Sequence, residues 1–261
     1  MNKIKLTALA LCALLLAGCG AGREDGGQKT ALRLAAAASL EKVFVQKLIP
    51  MYAARHPHVK IEGVYDGSGR LQLQLEQGLQ ADIFIPASRR QMAALEQKGL
   101  VRESHDLLRN RLVLIVPEKS GGIESIGDIT KAEHTALGDP ASVPAGRYAR
   151  GALIKLGLWD RVKSGASFGG SVTEVLQWVA DGSAAAGFVY ATDAARADGV
   201  KIAAGLPEEL LPEPVVYPLG IMKNAGFGEA ESFAAFLRGE EAAAVFKEYG
   251  FEPARAEEMK K

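Results

Sequence analysis

The chain has 261 residues, 48% apolar and 24% charged, with 31 basic side chains balanced by 31 acidic ones. That length suits one large domain or two lobes of ordinary size. Zero net charge gives no basic footprint for nucleic acid and no charge-held membrane surface. Beyond residue 30 no apolar run is long enough to span a bilayer.

The first residues read as a targeting segment. Lys3 and Lys5 precede an apolar run from Leu6 to Leu16, too short for a standard spanning helix. The run ends Leu16-Ala17-Gly18-Cys19, which resembles a lipobox. Residues 1–19 are therefore expected to be a lipoprotein signal peptide, with Cys19 the acylated first residue after cleavage. The alternative is a plain signal peptide with a chance cysteine. Cys12 falls in the discarded segment, so the mature chain has no thiol for a disulfide, a thiolate metal site or a nucleophile. Residues 20–30, rich in Gly, Lys, Asp and Glu, read as a flexible tether.

From there strands alternate with helices. Ala31 to Ala38 is a strand candidate. Ser39 is placed as an N-cap for a helix from Leu40 to about Arg55, which His56-Pro57-His58 stops. Val59 to Tyr65 is the second strand, and Asp66-Gly67-Ser68-Gly69 a loop whose glycines permit close backbone approach to a ligand. Leu71, Leu73 and Leu75 alternate as in a strand, while the Leu, Gln and Glu content and Gly78 favour a helix; helix is the reading adopted. Ala81 to Ser88 reads as a buried strand running into a turn, Arg89 to Lys98 as a helix, and Asn110 to Pro117 as a strand apolar enough to be covered on both faces.

Gly138 to Gly146 (Gly-Asp-Pro-Ala-Ser-Val-Pro-Ala-Gly) is a stiff loop that delivers Thr135-Ala136-Leu137 to a helix running to Leu156. Gly165 to Ser171 reads as a glycine-rich loop before a helix from about Val172 to Asp181, followed by a strand Ala185 to Tyr190 and a short helix at Thr192-Asp193-Ala194. Val200 to Ala203 and Val215 to Ile221 are further strands, separated by a proline-rich loop, and the C-terminal part is helical. The fold class is α/β, with no repeat period of a solenoid. Leu112 to Val116 and Val215 to Ile221 bracket the middle third, which suggests a lobe inserted into an outer one.

Four strand-to-helix loops place small residues, then a hydroxyl or a free N–H, at a helix start: Ala38-Ser39, Gly67-Ser68-Gly69, Pro144-Ala145-Gly146 and Ser171-Val172. First-turn N–H groups lack intrahelical partners and carry the positive end of the helix dipole, so such starts hold anions. Each alone also suits plain capping.

Several motifs together resemble the molybdate-binding component of an ABC importer, a type II periplasmic solute-binding protein. They are Ala36-Ala37-Ala38-Ser39-Leu40, Ile83-Phe84-Ile85-Pro86-Ala87, Gly138 to Ala149, Gly187 to Ala194 and Phe246 to Phe251. The resemblance covers nearly all of the mature chain. It implies two lobes, each a mixed sheet flanked by helices, joined by two crossing strands: residues 31–113 and 217–261 in the first lobe, 114–216 in the second. It implies an oxyanion held by the hydroxyls and N–H groups of Ser39 and Ser68, the backbone N–H groups of Ala145 and Val172, and the hydroxyl of Tyr190. Molybdenum would be bound only as molybdate, with no direct metal ligand and no cofactor. The partners would be molybdate or tungstate, a membrane permease, and a bacterial membrane reached through lipid on Cys19, with the protein a monomer on the periplasmic or cell-surface side. Two departures stand out: Gly-Ser-Gly in place of a serine cluster, expected to loosen that loop, and a diverged Ser171-Val172-Thr173.

The chemistry is coherent. Molybdate near neutral pH is a fully deprotonated dianion that accepts hydrogen bonds and donates none, so a site of N–H and O–H donors without a carboxylate suits it, whereas hydrogen phosphate needs an acceptor. Arg147, beside the loop, reads as a solvated surface residue. Sulfate or another tetrahedral oxyanion would satisfy the same donors, and only cavity size separates them. An enzyme reading has little support. His56, His58, His105 and His134 form no metal-ligand pair at helical spacing. A serine hydrolase built on Ser68 or Ser39 lacks an evident base. Asp139 before Pro140 reads as a turn former.

Overall fold

A computed structural model describes residues 30–226 and 228–254. The expected signal peptide with Cys19 and the expected tether up to residue 29 lie outside the described residues, while Thr30 already opens the first strand. No helix among the described residues is long and apolar enough to cross a membrane.

The strands in chain order are β1 (Thr30–Ala37), β2 (Val59–Asp66), β3 (Ile83–Ile85), β4 (Val101–Arg109), β5 (Leu112–Pro117), β6 (Thr135–Gly138), β7 (Ala166–Gly169), β8 (Ala186–Tyr190), β9 (Val200–Gly205), β10 (Val216–Met222) and β11 (Glu252–Pro253). They form two sheets, ordered β11-β4-β10-β3-β1-β2 and β7-β6-β8-β5-β9. In the first, β1 lies between parallel neighbours β2 and β3, and β10 runs antiparallel to both β3 and β4. In the second, β6 lies between parallel neighbours β7 and β8, and β5 runs antiparallel to both β8 and β9. Apart from the short edge strand β11, the two lobes repeat one plan.

The chain passes from the first sheet to the second at Asn110 and Arg111 and returns at Val215. These crossings are bonded to each other, Asn110 N–H donating to the Val215 carbonyl at 3.1 Å. The sequence reading divided the lobes after residues 113 and 216. Leu112 and Val113, however, pair with Tyr190 and Val189 of β8, so all of β5 sits in the second sheet, and Val216 pairs with Arg109. The strand that accompanies β10 at the junction is β4, to which the sequence reading gave no element. Its Val-Arg-Glu-Ser-His-Asp-Leu-Leu-Arg run is mostly half-exposed and shows little apolar alternation. Gly165 to Ser171 also differs from its reading as a loop: Ala166–Gly169 pairs with β6 as an edge strand.

Burial explains the rest. All of β10 and the Leu112 to Val116 run of β5 are buried, as their continuous apolar sequence requires when helices cover both faces. The helical segment 38–55 is not uniform, for Phe44–Leu48 forms a π-helical turn just ahead of Pro50. Proline lacks the N–H that would bond the carbonyl of residue 46, and the helix widens where that bond is missing. Phe44 lies within about 6.5 Å, centroid to centroid, of Tyr65, Phe233 and Phe246, locking the segment onto the C-terminal helices Glu229–Arg238 and Glu240–Glu248. The helix after Gly67, ambiguous in sequence, is Ser68–Glu76, its Leu71 and Leu75 buried and Leu73 exposed.

Candidate oxyanion site between the lobes

In open α/β sheets, ligands gather beyond the carboxyl ends of the parallel strands. Here those ends from both sheets meet. β1 runs into helical segment 38–55, β2 into Ser68–Glu76, β6 through its proline loop into the helix Pro144–Lys155, β7 into Val172–Ala180, and β8 ends at Tyr190. Ala37, Ala38, Ser39, Asp66, Gly67, Ser68, Ala87, Val143, Pro144, Val172 and Tyr190 line one cleft between them. Its cavity volume is about 10 Å³, far below the roughly 300–1,000 Å³ of sites for drug-sized organic ligands, so in this arrangement it excludes larger organic molecules.

Four of the five sequence-predicted residues, Ser39, Ser68, Val172 and Tyr190, line this cleft together. The fifth, Ala145, is fully buried one position past Pro144, in the first turn of its helix. The first backbone bond of that helix is Arg147 N–H to the Val143 carbonyl, so the Ala145 and Gly146 N–H groups precede the intrahelical ladder. Gly146 must lack a side chain, since a Cβ there would sit 1.9 Å from the Gly138 carbonyl oxygen. Asp139 builds the loop, accepting the Ala141 N–H at 3.0 Å and the Ser142 hydroxyl at 2.9 Å. That is the turn-forming role expected of it.

The proton directions of the hydroxyls follow from their partners. Ser68 Oγ accepts the Ala87 N–H at 3.0 Å, which leaves its own proton for the cleft. For Ser39 the direction is set two residues away. Asn110 Oδ1 accepts the Arg111 N–H at 2.8 Å, which fixes which way the amide faces. Its Nδ2 then donates to Thr192 Oγ1 at 2.9 Å and to the Tyr217 hydroxyl at 3.2 Å. With that acceptor position filled, Tyr217 gives its proton to Ser39 Oγ at 3.0 Å, and Ser39 turns its proton toward the cleft. Neither serine has a base for a partner, only a tyrosine hydroxyl and a backbone amide.

Tyr190 completes the set. Its hydroxyl is buried without a hydrogen-bond partner, and its ring meets Tyr217 edge to face at 5.7 Å. Burial pushes both phenols well above their ordinary pKa, so both remain protonated donors. A fully buried orphan hydroxyl is unfavourable unless something fills the space beside it.

Three features differ from the sequence reading. A carboxylate does line the cleft, that of Asp66, but its Oδ1 accepts the Gly67 N–H at 2.6 Å and faces Arg70 at 3.4 Å. The Gly-Ser-Gly loop is pinned rather than loose, because Gly69 N–H donates across the cleft to the Ser142 carbonyl at 2.9 Å. Both glycines face the other lobe: a Cβ on Gly67 would stand 2.2 Å from the Gly170 oxygen, and one on Gly69 2.3 Å from the Ser142 oxygen. Arg147 is not a solvated surface residue. Its side chain is 19% exposed, pairs with Glu213 and donates to Ser88 Oγ at 2.9 Å, tying the helix Pro144–Lys155 to the first lobe. Sequence reasoning missed Asn110 and Tyr217, which look like ordinary strand-end residues until the crossings bring them to Ser39.

The sequence profile of the bacterial extracellular solute-binding proteins matches residues 32–252. The molybdate-binding protein ModA of Haemophilus influenzae is 38% identical over 257 residues, covering 95% of this chain and 98% of that one. A putative ABC transporter substrate-binding lipoprotein of Bacillus subtilis, YvgL, is 37% identical, covering 96% and 98%. Among solved structures, the substrate-binding domain of a putative molybdenum ABC transporter from Clostridium difficile aligns with a TM-score of 0.67 at 35% identity, over 87% of this chain and all of that one. With the two-lobed fold, the chain belongs to the bacterial extracellular solute-binding protein family and, within it, is a relative of the ModA proteins.

Proposed function

We propose that this protein captures molybdate, and tungstate with it, outside the cytoplasm and delivers it to the permease of an ABC importer. The observation that supports this most directly is the meeting of three hydroxyl donors, on Ser39, Ser68 and Tyr190, with the starts of four helical segments around one small cleft. Such a lining offers donors to a dianion that brings no proton of its own, and it needs no lysine or arginine at the ligand. Ser39, Ser68 and Tyr190 donate through their hydroxyls, Ala145 and Val172 through backbone N–H. Molybdenum is held as the oxyanion, with no direct ligand to the metal, and no bond is made or broken, so the role is carriage and not catalysis.

Donors come from both lobes, so bound anion favours the closed arrangement in which the rims touch, and that closed monomer is what the permease distinguishes. The lobes are the portions 30–109 with 216–254, and 112–205, about the crossings at Asn110 and Val215. Lipid on Cys19 holds the protein at a bacterial membrane.

The test is isothermal titration of the full chain in detergent with molybdate, tungstate, sulfate and phosphate in parallel. Tight molybdate and tungstate binding with weak sulfate is the expected result. Sulfate binding as tight as molybdate would retain the donors and overturn the substrate.

A further inference from the structure

Away from the cleft, three metal-ligating side chains converge. His56 and His58 flank Pro57 in the turn between helical segment 38–55 and β2, and Glu229 opens the helix Glu229–Arg238. One ligand atom from each lies within 4.8 Å of the other two. We propose that His56, His58 and Glu229 form a surface site for a first-row divalent cation of the Zn²⁺ class.

The donor set selects the cation class. Two imidazoles and one carboxylate suit Zn²⁺ and its neighbours, whereas Ca²⁺ and Mg²⁺ take oxygen ligands. Zn–N and Zn–O bonds of about 2.0–2.2 Å place tetrahedral ligand atoms roughly 3.3–3.5 Å apart. His58 Nε2 and Glu229 Oε1 are already 3.1 Å apart.

The supports of the site are rigid. The His56 ring stacks on Tyr52, with centroids 4.0 Å apart and planes 9° from parallel. Tyr52 in turn donates to Ser232 Oγ at 2.9 Å, on the helix that carries Glu229. The His58 carbonyl accepts the Thr30 N–H at 2.8 Å, and the His56 carbonyl accepts the Val59 N–H at 2.9 Å, so both histidine backbones are fixed. The His58 and Glu229 side chains, 60% and 30% exposed, have solvent-side room to turn toward His56. Glu229 sits in the first turn of its helix, where the dipole favours a carboxylate. Three protein ligands leave a fourth position for water or a partner's donor. A simple His58–Glu229 ion pair would make no use of His56, and the two readings separate by experiment.

The site stands at the amino end of β2 and the cleft at its carboxyl end, about 25 Å apart for a strand of eight residues. Oxyanion binding should therefore ignore it. The test is Zn²⁺ calorimetry and Co²⁺ absorption on the untagged full chain in detergent, alongside His56→Asn, His58→Ala and Glu229→Gln. The expected result is saturable binding of one ion per chain, weakened at least about tenfold by each substitution, with thermal unfolding raised by Zn²⁺ in the parent protein only. Unchanged melting of the metal-free variants shows that they fold. Absence of saturable binding, or binding that the substitutions leave unaltered, overturns the proposal, as does binding that needs His58 and Glu229 but not His56.

Discussion

The two lobes share a sheet plan and differ in what they bring to the cleft. At the ends of β1 and β2 the first lobe offers serine hydroxyls, Ser39 and Ser68. At the equivalent ends of β6 and β7 the second lobe offers the helix starts at Pro144 and Val172, with a tyrosine hydroxyl at the end of β8. A backbone N–H at a helix start is aimed by the helix itself and has only one polarity. A hydroxyl rotates and can donate or accept, so its direction must be fixed from behind. The first lobe accordingly carries the hidden partners, Ala87 N–H for Ser68 and the Asn110–Tyr217 relay for Ser39. Donor-only recognition is thus built in two ways, by backbone geometry on one side and by hydrogen-bond direction on the other. The relay starts at the first crossing, Asn110, so the junction that joins the lobes sets the polarity of Ser39.

The largest effect is expected where the lobes must touch. Gly67 has φ −56° and ψ 131°, a conformation open to any residue, so alanine there leaves the backbone unstrained and obstructs only the approach to Gly170. Gly67→Ala and Gly69→Ala should weaken molybdate binding at least about 100-fold, roughly 2.7 kcal/mol. Gly121→Ala, which faces open space, should leave affinity unchanged in the same calorimetry.

Next comes the removal of one aimed hydroxyl. Ser39→Ala deletes a donor to a charged ligand, worth about 1.5–3 kcal/mol, or roughly 10–100-fold in affinity, without unfolding the protein. Equal affinity in the parent and the variant would exclude Ser39 from the site.

Reversing the relay separates direction from mere presence. In Asn110→Asp the amide donors become acceptors, so Tyr217 must donate to the new carboxylate and Ser39 must donate to Tyr217, which turns a lone pair toward the cleft. Molybdate should bind about tenfold more weakly, and its preference over hydrogen phosphate should narrow, because a protonated anion gains an acceptor. Tyr217→Phe, which leaves Ser39 free to turn either way, should narrow the preference as well while weakening molybdate less. An unchanged molybdate-to-phosphate ratio in Asn110→Asp would break the account of polarity.

The last effect concerns stability, not affinity. Asp193, beside Tyr190 and Thr192, has an Oδ2 without a partner, and burial raises its carboxyl to about 7. The folded protein therefore holds a proton that the unfolded chain releases near 3.8. The stability this contributes is complete below that value and is lost as pH rises through 7. Asp193→Asn should gain on the parent protein by about 1–2 kcal/mol between pH 4 and pH 8, the residue's partial solvent contact discounting the full shift. Urea midpoints at the two pH values measure it.

By itself the sequence determined the alternation of strands and helices and the small-residue helix starts; Ser39, Ser68, Val172 and Tyr190, which line one cleft, came with the family resemblance its motifs carry. The helix starts, the glycine turn and the continuous apolar runs are local, each depending on near neighbours along the chain; Ser39, though, is not the N-cap expected, for it lies inside the first turn, Ala38–Leu40, and its hydroxyl meets Tyr217 instead. The edge strand β7 and the junction strand β4 were not legible, because glycine-rich or polar segments become strands only when a partner strand is beside them. The burial of Arg147, the pinning of Gly67 and Gly69 against the opposite lobe, and the Asn110–Tyr217–Ser39 relay were decided by tertiary structure alone. Tyr217 and Ser39 are 178 residues apart in sequence, and the direction of a hydroxyl proton depends on which groups the fold brings against it, not on the residues that flank it.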